Sequence, residues 1–573
     1  MPYTPENPVI VQSDRSVLLE VHNPRYDAAR DALAGFAELV KSPEFMHTYQ
    51  MTPLSLWNAA AAGATADDIV AALREFAKFD LPDSIVLDIR EYIGRYGHLR
   101  LLRRDDGTLV LQSDDLALIA QVQASRQCQP FLAGALDAHT VRVDPAARGY
   151  LKQALVQLGF PAEDLAGYDD GAALPLDIRP QTGSGTAFGL RDYQHTAVER
   201  FYDAGSSRGG SGVIVLPCGA GKTLVGIGAM ERVGSQTLIL CPNTVAVRQW
   251  ISELLDKTTL TPDLIGEYTG EKKEIRPVTI ATYQILTYRS SRTDERTDPG
   301  AFPHFGLFTR QEWGLIIYDE VHLLPAPMFR ITAEIQARRR LGLTATLVRE
   351  DGRETDVFSL IGPKKYDVPW RDLERGGWIA EASCTEIRLD LPPSQRMDYA
   401  LAGDSRIQYR LAAENVDKLQ VIDALLRRHP DDHILIIGQY LEQLKQIAER
   451  TGAPLITGKM KTSERERLYA AFKRGDERVL VVSKVANFAI DLPDANVAIQ
   501  VSGTFGSRQE EAQRLGRILR PKSHGQAAHF YTLVTRDTRD QDFAANRQMF
   551  LTEQGYRYTI LDACEVVSSE QRV

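Results

Sequence analysis

The chain has 573 residues, 43% apolar and 25% charged, with a net charge of −9. That length exceeds one hydrophobic core and predicts roughly three to five domains, while the composition excludes collagen-like, disordered and disulfide-scaffold classes. No apolar run is long enough to cross a bilayer and the first residues lack a signal-peptide pattern, so a cytoplasmic chain with no membrane partner is expected.

Residues 1–125 read as an accessory domain. VIVQSDRSVLLEV alternates like strands, and Asp27 to Val40 has helical spacing. Thr65 to Phe79 is a second predicted helix, with Asp67 and Asp68 in its first turn and Ile69, Leu73 and Phe76 on one face. A smaller unit follows at 126–180, holding a strand at Thr140 to Val143 and a helix on which Leu151, Ala154, Leu155 and Leu158 recur. PQTGSGTAF, running into 181–189, has the composition of a flexible linker. His22, His47 and His98 are isolated in sequence and suggest no catalytic cluster. The five cysteines form no CxxC pair, which argues against a zinc site or an iron–sulfur cluster.

From Leu190 the pattern becomes strand–helix alternation. GVIVLP, TLILCP, VTIATY, GLIIYDE and RRLGLTAT predict the strands of a first lobe over 190–380. A helical, charge-rich border spans 381–430. A second alternation over 431–573 includes HILIIGQ, PLITG, RVLVVSK, NVAIQVSG and HFYTLV, with a capping box expected at Ser463 to Glu466 and a helix end at Gly475. The fold class is therefore α/β. Two such lobes can close on a ligand held between them.

The most informative segment is LPCGAGKT. It follows a buried strand pattern and opens a helix. Gly219 and Gly221 permit a tight turn that aims backbone N–H groups at phosphate oxygens. Lys222 adds a mobile positive charge, and the Thr223 hydroxyl suits Mg²⁺. Downstream, GLIIYDEVH places Asp319 and Glu320 at a strand end, Asp319 to complete the Mg²⁺ shell and Glu320 to polarise the attacking water. In QEEAQRLGRILR, helical spacing puts Gln513, Arg517 and Arg520 on one face, where a guanidinium could reach the γ-phosphate from the second lobe. These residues specify binding and hydrolysis of a nucleoside triphosphate. Local basic tracks at Arg338 to Arg340, Lys364–Lys365 and Arg427–Arg428 could meet nucleic acid, but composition leaves that open.

LRDYQ, LPCGAGKT, PNTVAVRQW, IATYQ, DEVH, TAT and QRLGRILR stand in the order and spacing of superfamily 2 helicases. LGLTATLVREDGRE, with Arg349, Glu350 and Asp351 after TAT, resembles the XPB family. The resemblance implies two RecA-like parallel-sheet lobes with N-terminal accessory domains, the second damage-recognition-like, and a helical thumb-like insertion. It implies an ATP- and Mg²⁺-dependent 3′→5′ DNA helicase, or a double-stranded DNA translocase, in nucleotide excision repair. Arg191 and Gln194 would then read the adenine. His322, Thr344 and Thr346 would couple hydrolysis to the DNA face, and Arg349, Glu350 and Asp351 would act at DNA opening. A partner nuclease is implied by archaeal relatives. The residues leave three rivals standing: a duplex translocase without strand separation, an RNA-dependent ATPase, and an ATP-driven clamp within a larger assembly.

Overall fold

The computed structural model describes residues 3–217, 219–288, 302–336, 338–347, 349, 351–368, 373, 376, 382–483, 495–503, 528–553, 556 and 558–568. Two seven-stranded parallel sheets form the two lobes. In the first, the order from edge to edge is Ile265–Tyr268, Val278–Thr282, Thr237–Cys241, Leu315–Asp319, Arg339–Thr344, Ser211–Val215 and Lys364–Asp367. In the second it is Leu455–Ile456, Val479–Ser483, Ile434–Gly438, Val497–Gln500, Ala528–Thr535, Ala382–Leu389 and Tyr558–Asp562. The central strands are continuous Val/Ile/Leu runs because helices cover both faces of a parallel sheet, leaving no strand face for water. Each first-lobe face has its own core, one around Ile214, Ile239, Ile317 and Trp250, the other around Val213, Ile316 and Tyr318.

Several expectations shift by a residue or an element. Helix Ala66–Phe76 forms with Thr65 and Asp68 in a capping box, as its pattern requires. The helix expected from Asp27 to Val40 stops at Ala34, and Glu38–Lys41 turns into an edge strand. Helix Thr462–Arg474 has its N-cap at Lys461, two residues before the expected Ser463, without a side-chain cap, so the Ser463 capping box is not made; Gly475 at φ 84° does end it. The linker is pinned rather than loose: Gly183 N–H donates to Asp256, and Phe188 and Gly185 close a turn through Pro180 and Thr182.

The division at 125/126 differs most. Leu99–Arg103 and Leu109–Gln112, from before it, share one five-stranded sheet with Leu132–Ala135, Thr140–Val143 and Ala162–Asp164, from after it. The four-stranded antiparallel sheet of the first accessory domain ends at Gln50, and its helices at Arg95, so the chain divides near residue 97. Likewise Ala382–Leu389, placed by its sequence in a border, lies inside the second-lobe sheet between Ala528–Thr535 and Tyr558–Asp562.

The small domain is fixed to the first lobe. Its helix Arg148–Leu158 crosses helix Ala326–Glu334 so closely that a β-carbon on Gly149 would stand 2.5 Å from the Ala333 backbone. Beside the crossing, Lys152 Nζ donates to Asp164 Oδ2 and to Gln336 Oε1, both at 2.9 Å, and Arg148 pairs with Asp164 at 2.6 Å. Burial opposes the Asp164 charge, but these two cations hold its carboxyl far below the usual range.

Candidate active site

Three adjacent strands deliver the site at their carboxyl ends: Ser211–Val215, Arg339–Thr344 and Leu315–Asp319. That end of a parallel sheet is where crossover loops and helix N-termini converge, so phosphate-binding groups gather there. After the first of these strands, Gly219 (φ 85°) and Gly221 (φ 81°) take left-handed backbone, and helix Lys222–Val233 starts directly on Lys222 and Thr223. A β-carbon at Gly221 would also meet Gln194 Nε2 at 2.5 Å, so only glycine fits the turn.

Lys222 Nζ lies 3.0 Å from Glu320 Oε1, both side chains largely buried. Burial opposes the Glu320 charge, yet the Lys222 ammonium holds its carboxyl below the ordinary glutamate range. Asp319 goes the other way: burial and then the adjacent Glu320 charge push it up to about 6. Its Oδ2 accepts from Trp250 Nε1 at 3.0 Å. Glu320 itself sits at φ 49°, a left-handed conformation unusual for a residue with a side chain, between the strand and the tight turn Val321–Leu323.

A hydrogen-bond relay leaves this site. Thr344 Oγ1 donates to Thr346 O at 2.6 Å, so its 2.6 Å contact with His322 Nδ1 must be one in which Thr344 accepts. His322 therefore carries its proton on Nδ1. Burial pushes its pKa down to about 4, and Nε2 is a buried lone pair without a partner. His322, Thr344 and Thr346 thus form one hydrogen-bonded chain, and Glu320 Oε2 stands 3.4 Å from His322 Nδ1 at its near end.

These residues suit a triphosphate and a divalent cation. The turn offers backbone donors and one ammonium. The two carboxylates repel one another, and the buried Nε2 is an acceptor awaiting a donor such as water.

Family models match three stretches: "Helicase conserved C-terminal domain" over residues 9–137, "Type III restriction enzyme, res subunit" over 187–349, and "ERCC3/RAD25/XPB C-terminal helicase" over 373–573. The DNA 3'-5' helicase XPB of Kineococcus radiotolerans is 54% identical over 561 residues, 98% of this chain and 97% of that protein. The chain belongs to the XPB helicase family. The protein of the same description from Mycobacterium tuberculosis is 53% identical over 562 residues, 98% of this chain and 99% of that one. At greater distance, the General transcription and DNA repair factor IIH helicase/translocase subunit XPB of Antonospora locustae is 36% identical over 580 residues, covering 98% and 82%. As an XPB-family member the chain is an ATP-dependent helicase.

Gln194 is fully buried and braces the phosphate turn: its Oε1 accepts the Arg191 N–H at 2.9 Å and its Nε2 donates to Ala220 O at 3.0 Å. Tyr193, which the motif reading passed over, does the same through its hydroxyl at 2.7 Å. Arg349, expected at DNA opening, has its guanidinium buried against the first lobe. Its Nη1 donates to His322 O at 2.6 Å and its Nη2 to Leu324 O at 3.0 Å, while Asp351 takes the other edge at 2.7 and 2.8 Å. Its guanidinium clamps the turn after Glu320. The physical reason is local: the His322 and Leu324 carbonyls of this short turn need donors, and a planar guanidinium supplies them. Arg340, in an expected basic track, is likewise fully buried, bonded to Leu360 O and Gln336 O. Lys365 Nζ is tied to Arg208 O at 2.9 Å, and of the three tracks Arg427 and Arg428 are the exposed one. Glu350, Gln513, Arg517 and Arg520 lie outside the described residues.

Proposed function

We propose that this chain is an ATP- and Mg²⁺-dependent 3′→5′ DNA helicase or translocase that opens or moves along DNA during repair. The observation that carries this reading is the 3.0 Å pair between Lys222 and Glu320 at the carboxyl ends of one parallel sheet, beside Asp319. A triphosphate would compete for the Lys222 ammonium. Glu320, released from it, would accept a proton from the attacking water. Asp319 and Thr223 would hold the cation, which supplies charge neutralisation on the transferring phosphoryl group. Arg517 and Arg520, with Gln513, would complete the site from the second lobe. The relay through His322, Thr344 and Thr346 would carry the change at Glu320 to the DNA face. DNA as the track, and the polarity, rest on the descriptions of the relatives. A partner nuclease and a cytoplasmic setting belong to the same proposal. No helix among the described residues is long and apolar enough to cross a membrane.

The test is steady-state ATPase of the full chain with single-stranded DNA, duplex DNA and RNA. Stimulation by DNA, abolished by Lys222→Ala, is expected. Stimulation by RNA alone would sink the DNA reading, and duplex stimulation without strand separation would select the translocase.

A further inference from the structure

Trp250 has no place in the scheme above, yet it bonds Asp319 and packs on the helix whose first turn carries Thr223. It lies in helix Thr244–Lys257, which starts on Asn243, and its side chain is 1% exposed. Its Nε1–H donates to Asp319 Oδ2 at 3.0 Å. Its ring edge presses on the helix that begins with Lys222 and Thr223: a β-carbon on Gly226 would stand 2.4 Å from Trp250 Cη2 and 3.2 Å from Leu343 Cδ1. The glycine is there because the indole occupies the space a side chain would need.

We propose that Trp250 is a positioning residue for the divalent cation, setting both the orientation of the Asp319 carboxylate and its separation from Thr223; this rests on the reading of Asp319 as the residue that meets the cation. The chemistry of the donor matters. A lysine or arginine at this place would neutralise the carboxylate and compete with the cation. An indole N–H is neutral, so it fixes one oxygen while leaving the negative charge in place. The rigid ring has only two side-chain torsions, both locked by burial against Gly226. The carboxylate is thus held in one rotamer before the cation arrives, and the cost of ordering it is removed from binding. Helix Thr244–Lys257 becomes a third support of the hydrolysis site beside the phosphate turn and the Asp319 strand.

The experiment uses the full chain with Trp250→Phe, which keeps an aromatic ring and removes the N–H. Affinity for a fluorescent ATP analogue is measured in EDTA and across a Mg²⁺ titration, with ATPase and thermal melting in parallel. The expected result is unchanged affinity in EDTA, a Mg²⁺ midpoint raised about tenfold, and a kcat that recovers at saturating Mg²⁺. An unchanged midpoint overturns the inference. So does an equal loss of affinity in EDTA, which would make the ring mere packing for the phosphate turn. If the phenylalanine variant does not fold, Gly226→Ala decides: its methyl displaces the indole while leaving the N–H, and a parental Mg²⁺ midpoint there overturns the proposal. Asp319→Asn separates the two layers. A parental midpoint in that variant removes the cation assignment itself, whereas a shift there with none in Trp250→Phe removes only the role of Trp250.

Discussion

Glu320 combines a left-handed backbone at φ 49° with an ion pair to Lys222, and neither persists without support. Such a conformation costs on the order of 1 kcal/mol or more for a residue with a β-carbon and survives where neighbours over-determine it. Here the neighbours are the strand before it and the Arg349 clamp on the turn after it. Glu320→Gln keeps size and shape but loses the proposed proton acceptor, so ATP should still bind while turnover falls by about 10²–10⁴. Equilibrium binding and single-turnover hydrolysis check this, and turnover at the parental rate would reassign the base. Arg349→Ala should orphan the His322 and Leu324 carbonyls, destabilise the first lobe by about 2 kcal/mol and lower the ATPase even without DNA. Denaturant titration and basal ATPase test it. A parental basal rate with weakened DNA opening would instead support the outward, DNA-facing role that the motif's position suggested.

At the scale of elements, helix Arg148–Leu158 is the joint between accessory and motor parts. Its contact with Ala326–Glu334 is backbone against backbone at Gly149, and there is no flexible side chain to yield. Gly149→Ala should therefore push the helices apart and cost about 1–3 kcal/mol, read as a lowered melting temperature and faster proteolysis between the small domain and the first lobe. Unaltered melting and cleavage would mean the joint is not tightly packed. The same scale shows which elements could be read from sequence. GVIVLP, TLILCP and HILIIGQ announce themselves because strands buried on both faces must be apolar throughout. Lys364–Asp367 (KKYD) is an edge strand with half-exposed charges. Ala382–Leu389 (ASCTEIRL) is interior yet polar, with Glu386 paired to Arg388 and bonded to Gln548. Neither carries a strand's apolar period, because pairing with partners distant in sequence stabilises it in place of its own pattern.

Across the whole molecule, the hydrolysis site in the first lobe is half of the expected machinery. Arg517, in the second lobe's motif, is expected to meet the transferring phosphoryl group only when the lobes close. Arg517→Ala should slow turnover by about 10³-fold or more with nucleotide affinity nearly intact. Equal losses in binding and rate would mark it as a structural residue of its lobe. The phosphate turn, the strand-end carboxylates and the two-lobe plan were all written in short stretches of sequence, since each depends on residue types a few positions apart whose chemistry is local. Tertiary structure alone decided the rest. It joined Leu109–Gln112 to Thr140–Val143 across an apparent domain boundary. It turned Arg349 inward onto a turn 27 residues earlier. It also brought Trp250 to Asp319 over a separation of 69 residues. A side chain's direction and partner are fixed by which distant surface packs against it, and no local period in the chain encodes that surface.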